Sequence, residues 1–286
     1  MLVTYPPFIV GLLCSFAVII SGKKLVLDVR DLYPEVYFRA GIVKETGAIG
    51  KVLSWLVNRL YMQASSVVTV TEGLASFIRS KYGVADVPVI MNGYGEEFQP
   101  GDSELPGEVV VVSHGNFGQL FDLTSFVDIA RRLPSLVSLP YRIRLIGFGR
   151  KIDEVAAMGL PNVYVEPPVT NDEISSILKK CHIGLSLHSD YDGRGSGFPV
   201  KVLEYIGAGL PCVVMPVNEG GGMVSSRGVG LSFNEGDSEA AALGLARLID
   251  NKHYRDSLRL RLISTREEFS LATQMARLSL ILGKVS

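Results

Sequence analysis

A lysine and a glutamate three residues apart, Lys201 and Glu204, have the types and the spacing that best suit ligand chemistry in this sequence. Residues 200–209 read VKVLEYIGAG, which predicts an apolar helix on which the two side chains share a face. The cation can contact a phosphate group, and the carboxylate can accept hydrogen bonds from two hydroxyl groups of a ribose. A solvated Lys–Glu pair on an exposed helix face is the alternative.

The segment before this helix favours the first interpretation. Residues 193–199 read GRGSGFP, so glycines precede a proline close to the predicted first turn. Free N–H groups and the positive end of the helix dipole would then face any anion at this place. Two further glycine-rich turns follow predicted strands, HGNFG at 114–118 and GFG at 147–149. Both turns let the backbone approach a ligand closely, although a plain tight turn would have the same composition.

Several other kinds of site are disfavoured by the sequence. Neither turn has the G-x-G-x-x-G order of dinucleotide-binding proteins, and no P-loop sequence occurs, which argues against dehydrogenases and P-loop nucleotidases. The four histidines show no spacing typical of metal ligands, so we expect no metal site. Lys and Arg number 28 against 29 Asp and Glu, and this balance gives no general attraction to nucleic acid.

The elements that must position these residues alternate between β-branched runs and helical patterns, which predicts an α/β fold with parallel sheets. In an open parallel sheet, ligands bind at the carboxyl ends of the strands, where the glycine-rich segments are predicted to lie. The second half of the chain reads as a complete Rossmann-type domain. Its predicted strands are 108–114, 142–147, 162–165, 182–187, 211–215 and 229–233.

The first half of the chain predicts a smaller α/β block, with strands at 23–29, 66–70 and 87–91 and helices near Ile49–Ala64 and Glu72–Tyr82. Residues 92–108 collect glycines, prolines and acids without periodicity, which is typical of a connection between domains. Packing of a last helix back on the first domain is one option. The predicted divisions are a domain at 1–95, a linker at 96–107, a domain at 108–265 and a C-terminal helix at 266–286.

The apolar run at Phe8–Ile20 has about 13 residues, fewer than the ~20 that span a bilayer, and it predicts a buried helix. No basic residue precedes this run, which argues against a signal peptide. Cys14, Cys181 and Cys212 are odd in number and lie in apolar surroundings, as buried thiols of a reducing compartment do. We therefore expect a cytoplasmic protein.

A second stretch raises the question of membrane contact. Residues 51–62 read KVLSWLVNRLYM, in which Trp55 and Tyr61 lie near the basic Lys51 and Arg59. Aromatic and basic residues together on one helix favour binding at a membrane surface. An ordinary core helix is the alternative.

The motif P-x-K-x-x-E-Y-x-x-x-G-x-P-x-V, here Pro199–Val213, resembles the donor-site segment of family-four glycosyltransferases, especially the bacterial enzymes of O-antigen, capsule and exopolysaccharide synthesis. The segments TYPPF, LDVRDLYPE, VTVTEGLASFI, HGNFG, LIGFG and NVYVEPPV match in register, so the resemblance covers nearly the whole chain. It implies a GT-B-like α/β fold with a complete C-terminal Rossmann-type domain and a truncated N-terminal one.

The resemblance also implies roles for individual residues. Glu204 would hold the ribose of the donor, the turn Gly115–Gly118 would approach its diphosphate, Lys201 would lie near the phosphates, and Pro168–Val169 would line the base. Such enzymes generally need no metal, and the nucleotide-sugar is a substrate, so no cofactor is implied. The predicted nucleotide-sugar-binding residues are Gly115, Asn116, Gly118, Gly147, Gly149, Val169, Ser196, Gly197, Phe198, Pro199, Lys201 and Glu204.

The chain departs from the family pattern at several places. Many members carry a glutamate where Ser196 stands, eight residues before Glu204. The family's first domain normally opens with further βα units, and roughly the first third of the expected enzyme is absent ahead of TYPP. Related enzymes often place a cleft histidine where this chain has Arg30 and Asp31, which we predict to be catalytic. The alternative is that Asp31 and Pro34 only shape the turn.

The activity that the resemblance implies is sugar transfer with retention, from a UDP- or GDP-type donor to a lipid-linked saccharide at the inner face of the cytoplasmic membrane. Two alternatives stand beside it. One is a non-catalytic fragment that binds sugar nucleotides, and the other is a half-enzyme whose partner chain supplies the absent units. Missing neighbours would leave an exposed sheet edge at Leu25–Val29, which favours pairing with another chain.

Overall fold

The structure is a computed structural model of the 286-residue chain, and it describes residues 1–102, 107–189 and 198–285. The chain folds into two compact units, of which one comprises Met1–Asn92 with Gln274–Ser286 and the other comprises Gly93–Thr273. Each unit is built on its own parallel sheet. The predicted α/β class is therefore confirmed.

The first unit contains a three-stranded sheet in which β2 (Val26–Val29) lies between β1 (Leu2–Tyr5) and β3 (Ser66–Thr69). All four residues of β2 are buried. The prediction of an exposed edge at Leu25–Val29 is therefore wrong, because β1 covers that side. The sequence analysis missed β1, since Leu-Val-Thr-Tyr is short and mostly exposed and has no strong alternating pattern.

The strand predicted at 87–91 is reduced to a single bridge between Thr69 and Val89. The Thr69 N–H donates to Pro88 O at 3.1 Å, and the Ile90 N–H donates to Thr69 O at 2.7 Å. In a parallel ladder, the next hydrogen bond toward Val67 would come from the N–H of residue 88. This residue is a proline, which has no N–H. The proline thus limits the pairing to one residue.

Helix α1 (Phe8–Ile20) buries one face and exposes the other, so the prediction of a buried helix is wrong for half of its surface. Ile9 and Leu13 are 62% and 65% exposed. Cys14, expected to be buried, is exposed, whereas the two other cysteines are buried. In the described parts of the chain, no helix is both long and apolar enough to cross a membrane.

Further helices of the first unit are α2 (Glu35–Arg39), α3 (Ala48–Gln63) and α4 (Glu72–Tyr82). The sequence patterns predict α3 and α4, whereas α2 was not predicted. Helix α4 begins at the Thr71 cap, whose hydroxyl accepts a hydrogen bond from the Leu74 N–H, and it ends at Gly83 in the left-handed conformation. These caps explain why both ends of α4 were predicted correctly.

The second unit contains a six-stranded parallel sheet in the order β6-β5-β4-β7-β8-β9. All six predicted strands are present, with small shifts at their ends. The order changes direction between β4 and β7, so the segments that leave these two strands diverge and open a crevice. The strands are β4 (Val109–Asn116), β5 (Tyr141–Phe148), β6 (Val163–Glu166), β7 (Ile183–Leu187), β8 (Cys212–Met215) and β9 (Gly230–Ser232).

Helices cover the sheet of the second unit. A capping box at Thr170 and Glu173 begins α7, and the apolar residues Phe126, Ile129 and Leu133 of α5 are buried. From Gln274 onward, the last helix groups with the first unit. The helices are α5 (Leu123–Leu136), α6 (Arg150–Met158), α7 (Asn171–Leu178), α8 (Val200–Gly207), α9 (Glu219–Ser226), α10 (Ser238–Asp250), α11 (Lys252–Thr265) and α12 (Leu271–Val285).

Candidate functional site

The second unit has a cavity of about 540 Å³ at the carboxyl ends of β4, β5 and β7, beside the first turns of α8. This is the crevice at the switch in strand order, where open α/β sheets bind ligands. Eight of the twelve residues predicted to bind the nucleotide-sugar line the cavity. They are Gly115, Asn116, Gly118, Gly147, Val169, Pro199, Lys201 and Glu204.

The other four predicted binding residues have different positions. Gly149 precedes α6 and does not line the cavity. Phe198 does not line it either, because its ring lies beside α9, where a Cβ added to Gly220 would be 3.4 Å away. Ser196 and Gly197 lie outside the described residues.

Helix α8 is held against the sheet by Tyr205, so that its polar face is directed to the cavity. The Tyr205 hydroxyl lies 3.2 Å from the carbonyl oxygens of Val112 and Leu185, in β4 and β7. Gly184 makes room for this ring, because a Cβ at that position would lie 2.4 Å from it. Pro199 is the cap residue of α8, one position earlier than a first-turn proline.

The loop after β4 is fixed by its own backbone and by one lysine. Gly115 has φ +106°, and a Cβ there would point toward Lys201 Cε at 4.0 Å. The Phe117 N–H donates to Phe148 O at 2.8 Å. The Lys151 Nζ donates to the carbonyl oxygens of Gln119 and Phe121. These bonds keep the glycine-rich turn at the edge of the cavity.

The glycine pair at the end of β5 leaves room for the backbone of β4 and of the turn that follows it. A Cβ on Gly147 would lie 2.0 Å from Gly115 O, and a Cβ on Gly149 would lie 2.7 Å from Phe117 C. Because both contacts are to backbone atoms, neither can be relieved by turning a side chain. Close packing of this segment against the backbone of β4 and of the following turn explains why both positions are glycine.

We therefore expect Gly147→Ala to lower the free energy of unfolding by about 2–3 kcal/mol, as overpacking does in a rigid core. Urea denaturation followed by circular dichroism measures this change. Gly222→Ala in α9 is the matched control, because no atom lies within 4 Å of its Cβ position. Equal stability of the two variants would contradict the packing role of Gly147.

Lys201 is a half-buried cation that lines the cavity. Burial lowers the pKa of its ammonium group to about 8, and the nearby Glu204 partly offsets this. Nζ lies 5.5 Å from the centre of the Phe117 ring. No carboxylate of the described residues lies within salt-bridge distance of it. A cation held in this way favours an anionic ligand.

Glu204 lies one turn further along α8 and shares the cavity. Burial raises the pKa of its carboxyl group to about 7, although the positive charge of Lys201 acts in the opposite direction. Its Oε2 lies 3.1 Å from the Nε2 of His114. This contact is not a salt bridge, because burial and Lys201 lower the pKa of His114 to about 3 and keep the imidazole neutral.

His114 and His188 are cavity residues that the sequence analysis did not predict. The pKa of His188 is lowered to about 4 by burial and by Lys201, so this ring is neutral as well. His114 was recognised only as the first residue of the HGNFG turn, and neither histidine was assigned a role of its own in ligand binding. Among the described residues no group of three or more metal-binding side chains occurs. The positions of the two histidines at the ends of the neighbouring strands β4 and β7 were the available signal.

The predicted catalytic residues Arg30 and Asp31 follow β2 in the first unit. The guanidinium of Arg30 lies 3.0 Å from Asp28 Oδ2 and donates to Asn92 Oδ1 at 2.6 Å. Asp28 is 3% exposed and also accepts from the Thr4 hydroxyl at 3.0 Å. Asp31 is exposed, and partial burial of its carboxyl group raises its pKa. The catalytic assignment of both residues remains a prediction.

A parallel sheet with this cavity at its switch point is typical of Rossmann-type units. The family model described as "Glycosyl transferases group 1" matches residues 108–251, which is half of the chain. The chain belongs to this family and is a glycosyltransferase. The solved structures that it resembles include glycosyltransferases with the GT-B fold.

Three of these structures show the extent of the similarity. HepE from Anabaena, in complex with UDP-glucose, has a TM-score of 0.73 and 17% identity, over 99% of this chain and 78% of HepE. Sucrose-phosphate synthase from Thermosynechococcus elongatus has a TM-score of 0.67 and 14% identity, over 100% of this chain and 74% of the synthase. WaaG, a glycosyltransferase involved in lipopolysaccharide biosynthesis, has a TM-score of 0.65 and 13% identity, over 93% of this chain and 80% of WaaG. A search of curated proteins found no match.

Proposed function

We propose that this glycosyltransferase takes a sugar from a UDP- or GDP-type donor and transfers it, with retention, to a lipid-linked saccharide in cell-surface polysaccharide synthesis. The observation that carries the donor assignment is the presence of Lys201 and Glu204 in one cavity, on one face of α8. The lysine can donate hydrogen bonds to the phosphates of a nucleoside diphosphate, and the glutamate can accept hydrogen bonds from its ribose hydroxyls. The bound UDP-glucose of HepE supports the UDP option.

Each part of the donor has a counterpart in the cavity. The diphosphate is assigned to Lys201, to the backbone around Gly115 and to the first turn of α8, whose N–H groups favour anions. The ribose is assigned to Glu204. The base is assigned to Val169, which is 37% exposed at the far side of the cavity.

The catalytic contribution of this unit is stabilisation of the leaving group. As the bond between the anomeric carbon and the phosphate oxygen breaks, negative charge builds up on the diphosphate. Lys201 and oriented backbone N–H groups stabilise that charge more strongly than they stabilise the bound donor. In the first unit, the Asp28 and Asn92 contacts give the Arg30 guanidinium a fixed direction, as a catalytic role requires.

The proposal includes contact of the first unit with a membrane surface through α3. Trp55 and Ile49 are 60% and 68% exposed on this helix, whereas Tyr61, which was predicted to share in the contact, is buried. Lys51 and Arg59 are also exposed. Exposed apolar side chains flanked by basic ones favour binding to anionic lipids.

We expect Trp55→Ser to lower binding to anionic lipid vesicles by about tenfold, in line with the loss of one large apolar contact. Cosedimentation with phosphatidylglycerol vesicles measures it. Leu260→Ser is the control, because Leu260 is 69% exposed on α11 of the other unit. Equal effects of the two substitutions would argue against α3 as the contact.

The transfer reaction itself is tested with a radiolabelled UDP- or GDP-sugar and a membrane extract from a bacterium that makes surface polysaccharide. Label that moves into the lipid fraction supports the proposed reaction. Nuclear magnetic resonance of the product then decides between retention and inversion. A protein that binds the donor but transfers no label is instead the non-catalytic binder described above.

A further inference from the structure

His114 and Glu204 form an incompletely satisfied polar pair in the wall of the cavity. His114 is 8% exposed, and its ring packs edge-on against Tyr205, with ring centres 5.4 Å apart. Its Nε2 is buried without a hydrogen-bond partner of acceptable geometry in the described part of the chain, although Glu204 Oε2 lies 3.1 Å away. A buried nitrogen of this kind is costly unless a ligand satisfies it.

The chemistry of the pair limits what that ligand group can be. The imidazole is neutral and offers one N–H and one lone pair, while an ionised Glu204 only accepts. A phosphate oxygen also only accepts, and it would be repelled by the carboxylate. A hydroxyl group satisfies both residues, because it donates its proton to Glu204 and accepts a hydrogen bond from the Nε2–H of His114.

We propose that His114 and Glu204 both hydrogen-bond the same ribose hydroxyl of the donor from one wall of the cavity and thereby select ribonucleotides over deoxyribonucleotides. This inference rests on the proposed use of a nucleotide-sugar donor, and it adds His114 as a specificity-determining residue. The rigid placement of the ring by Tyr205 supports this role, since a fixed donor rejects an analogue that leaves it unpaired.

The test compares UDP with its 2′-deoxy and 3′-deoxy analogues by calorimetry, with the guanosine series in parallel. In the wild type we expect at least one deoxy analogue to bind about tenfold more weakly than the ribonucleotide. We expect His114→Ala to weaken binding of the ribonucleotide by about tenfold. Binding of that same deoxy analogue should weaken by no more than about twofold. The loss of binding free energy caused by removing the hydroxyl and the loss caused by removing the His114 side chain are then not additive. Such non-additivity is expected for groups that contact each other.

Two further variants separate recognition from folding. His114→Gln retains an N–H near the position of Nε2 and is expected to recover part of the preference for the ribonucleotide. His253→Ala, on the exposed start of α11, is the matched control and is expected to bind all ligands as the wild type does. Thermal unfolding without ligand shows whether each variant is folded.

Three results would overturn the inference. Equal weakening of the ribonucleotide and the deoxy analogues by His114→Ala would mean that His114 only supports the fold. A wild type that does not discriminate against either deoxy analogue would exclude the shared hydroxyl while leaving the donor site intact. Absence of UDP and GDP binding altogether would refute the proposed function, and this inference with it.

Discussion

Replacing Glu204 by alanine is expected to weaken binding of the sugar-nucleotide donor by at least about 100-fold, or about 2.7 kcal/mol. The carboxylate is the acceptor assigned to the ribose, and hydrogen bonds to a charged group contribute about 1.5–3 kcal/mol each. Glu204→Gln keeps one carbonyl oxygen and is expected to lose less. Calorimetric titration with UDP-glucose and with a GDP-sugar measures both variants.

The matched control is Glu235→Ala, because Glu235 is exposed and does not line the cavity. We expect this variant to bind the donor as the wild type does. Donor affinity that survives Glu204→Ala would remove the ribose assignment, even if the nucleotide still binds elsewhere in the cavity.

Replacing Lys201 by methionine is expected to have opposite effects on binding and on stability. Donor affinity should fall by about 100-fold, because the diphosphate loses its cation. The free energy of unfolding should rise, because a half-buried charge is exchanged for an apolar chain of similar length. Calorimetry and urea denaturation measure the two quantities. For Lys180→Met, on an exposed position after α7, we expect neither change.

The pH dependence gives a second check on Lys201. Because its pKa is lowered to about 8, the charge is lost as the pH rises through that value, and donor affinity should fall with it. Arginine keeps its charge in this pH range, so in Lys201→Arg the donor affinity should no longer fall at alkaline pH. UDP-glucose is a suitable ligand, because its esterified phosphate lacks the second ionisation near about pH 6. If donor affinity in Lys201→Arg falls at alkaline pH as it does in the wild type, the assignment of Lys201 to the diphosphate is contradicted.

The second unit could be predicted well from the sequence because its strong signals are local. Buried strands such as Val109–Asn116 are rich in β-branched residues, and the capping box at Thr170 marks a helix start without any tertiary information. The convergence of Lys201 and Glu204 with the turn at Gly115 also followed from the rule that ligands bind at strand ends.

The first unit was predicted less well because its features depend on long-range partners. Strand β1 exists because Leu2–Tyr5 pairs with Val26–Val29, and nothing in its four residues indicates that pairing. The outer face of α1 is as apolar as its buried face, so hydropathy alone could not separate Ile9 from Leu12. Contacts with residues distant in the sequence determine both the formation of β1 and which face of α1 is buried.

The site was predicted in part, since some of its residues owe their role to geometry. Gly147 and Gly149 were predicted to approach a ligand; Gly147 lines the cavity whereas Gly149 does not, and both pack tightly against backbone atoms. His114 and His188 acquire their properties from burial and from Lys201, which a sequence does not display. Residue type and spacing indicate Glu204, whereas only the structure places His114 beside it.

The central claim is that the cavity beside α8 binds the nucleoside diphosphate of a sugar donor, and calorimetric titration of the wild type with UDP and GDP tests it most directly. We predict that at least one of the two binds at a single site, and that the double variant Lys201→Met/Glu204→Ala abolishes this binding. Absence of binding by both nucleotides, or binding that the double variant leaves unchanged, would contradict the claim.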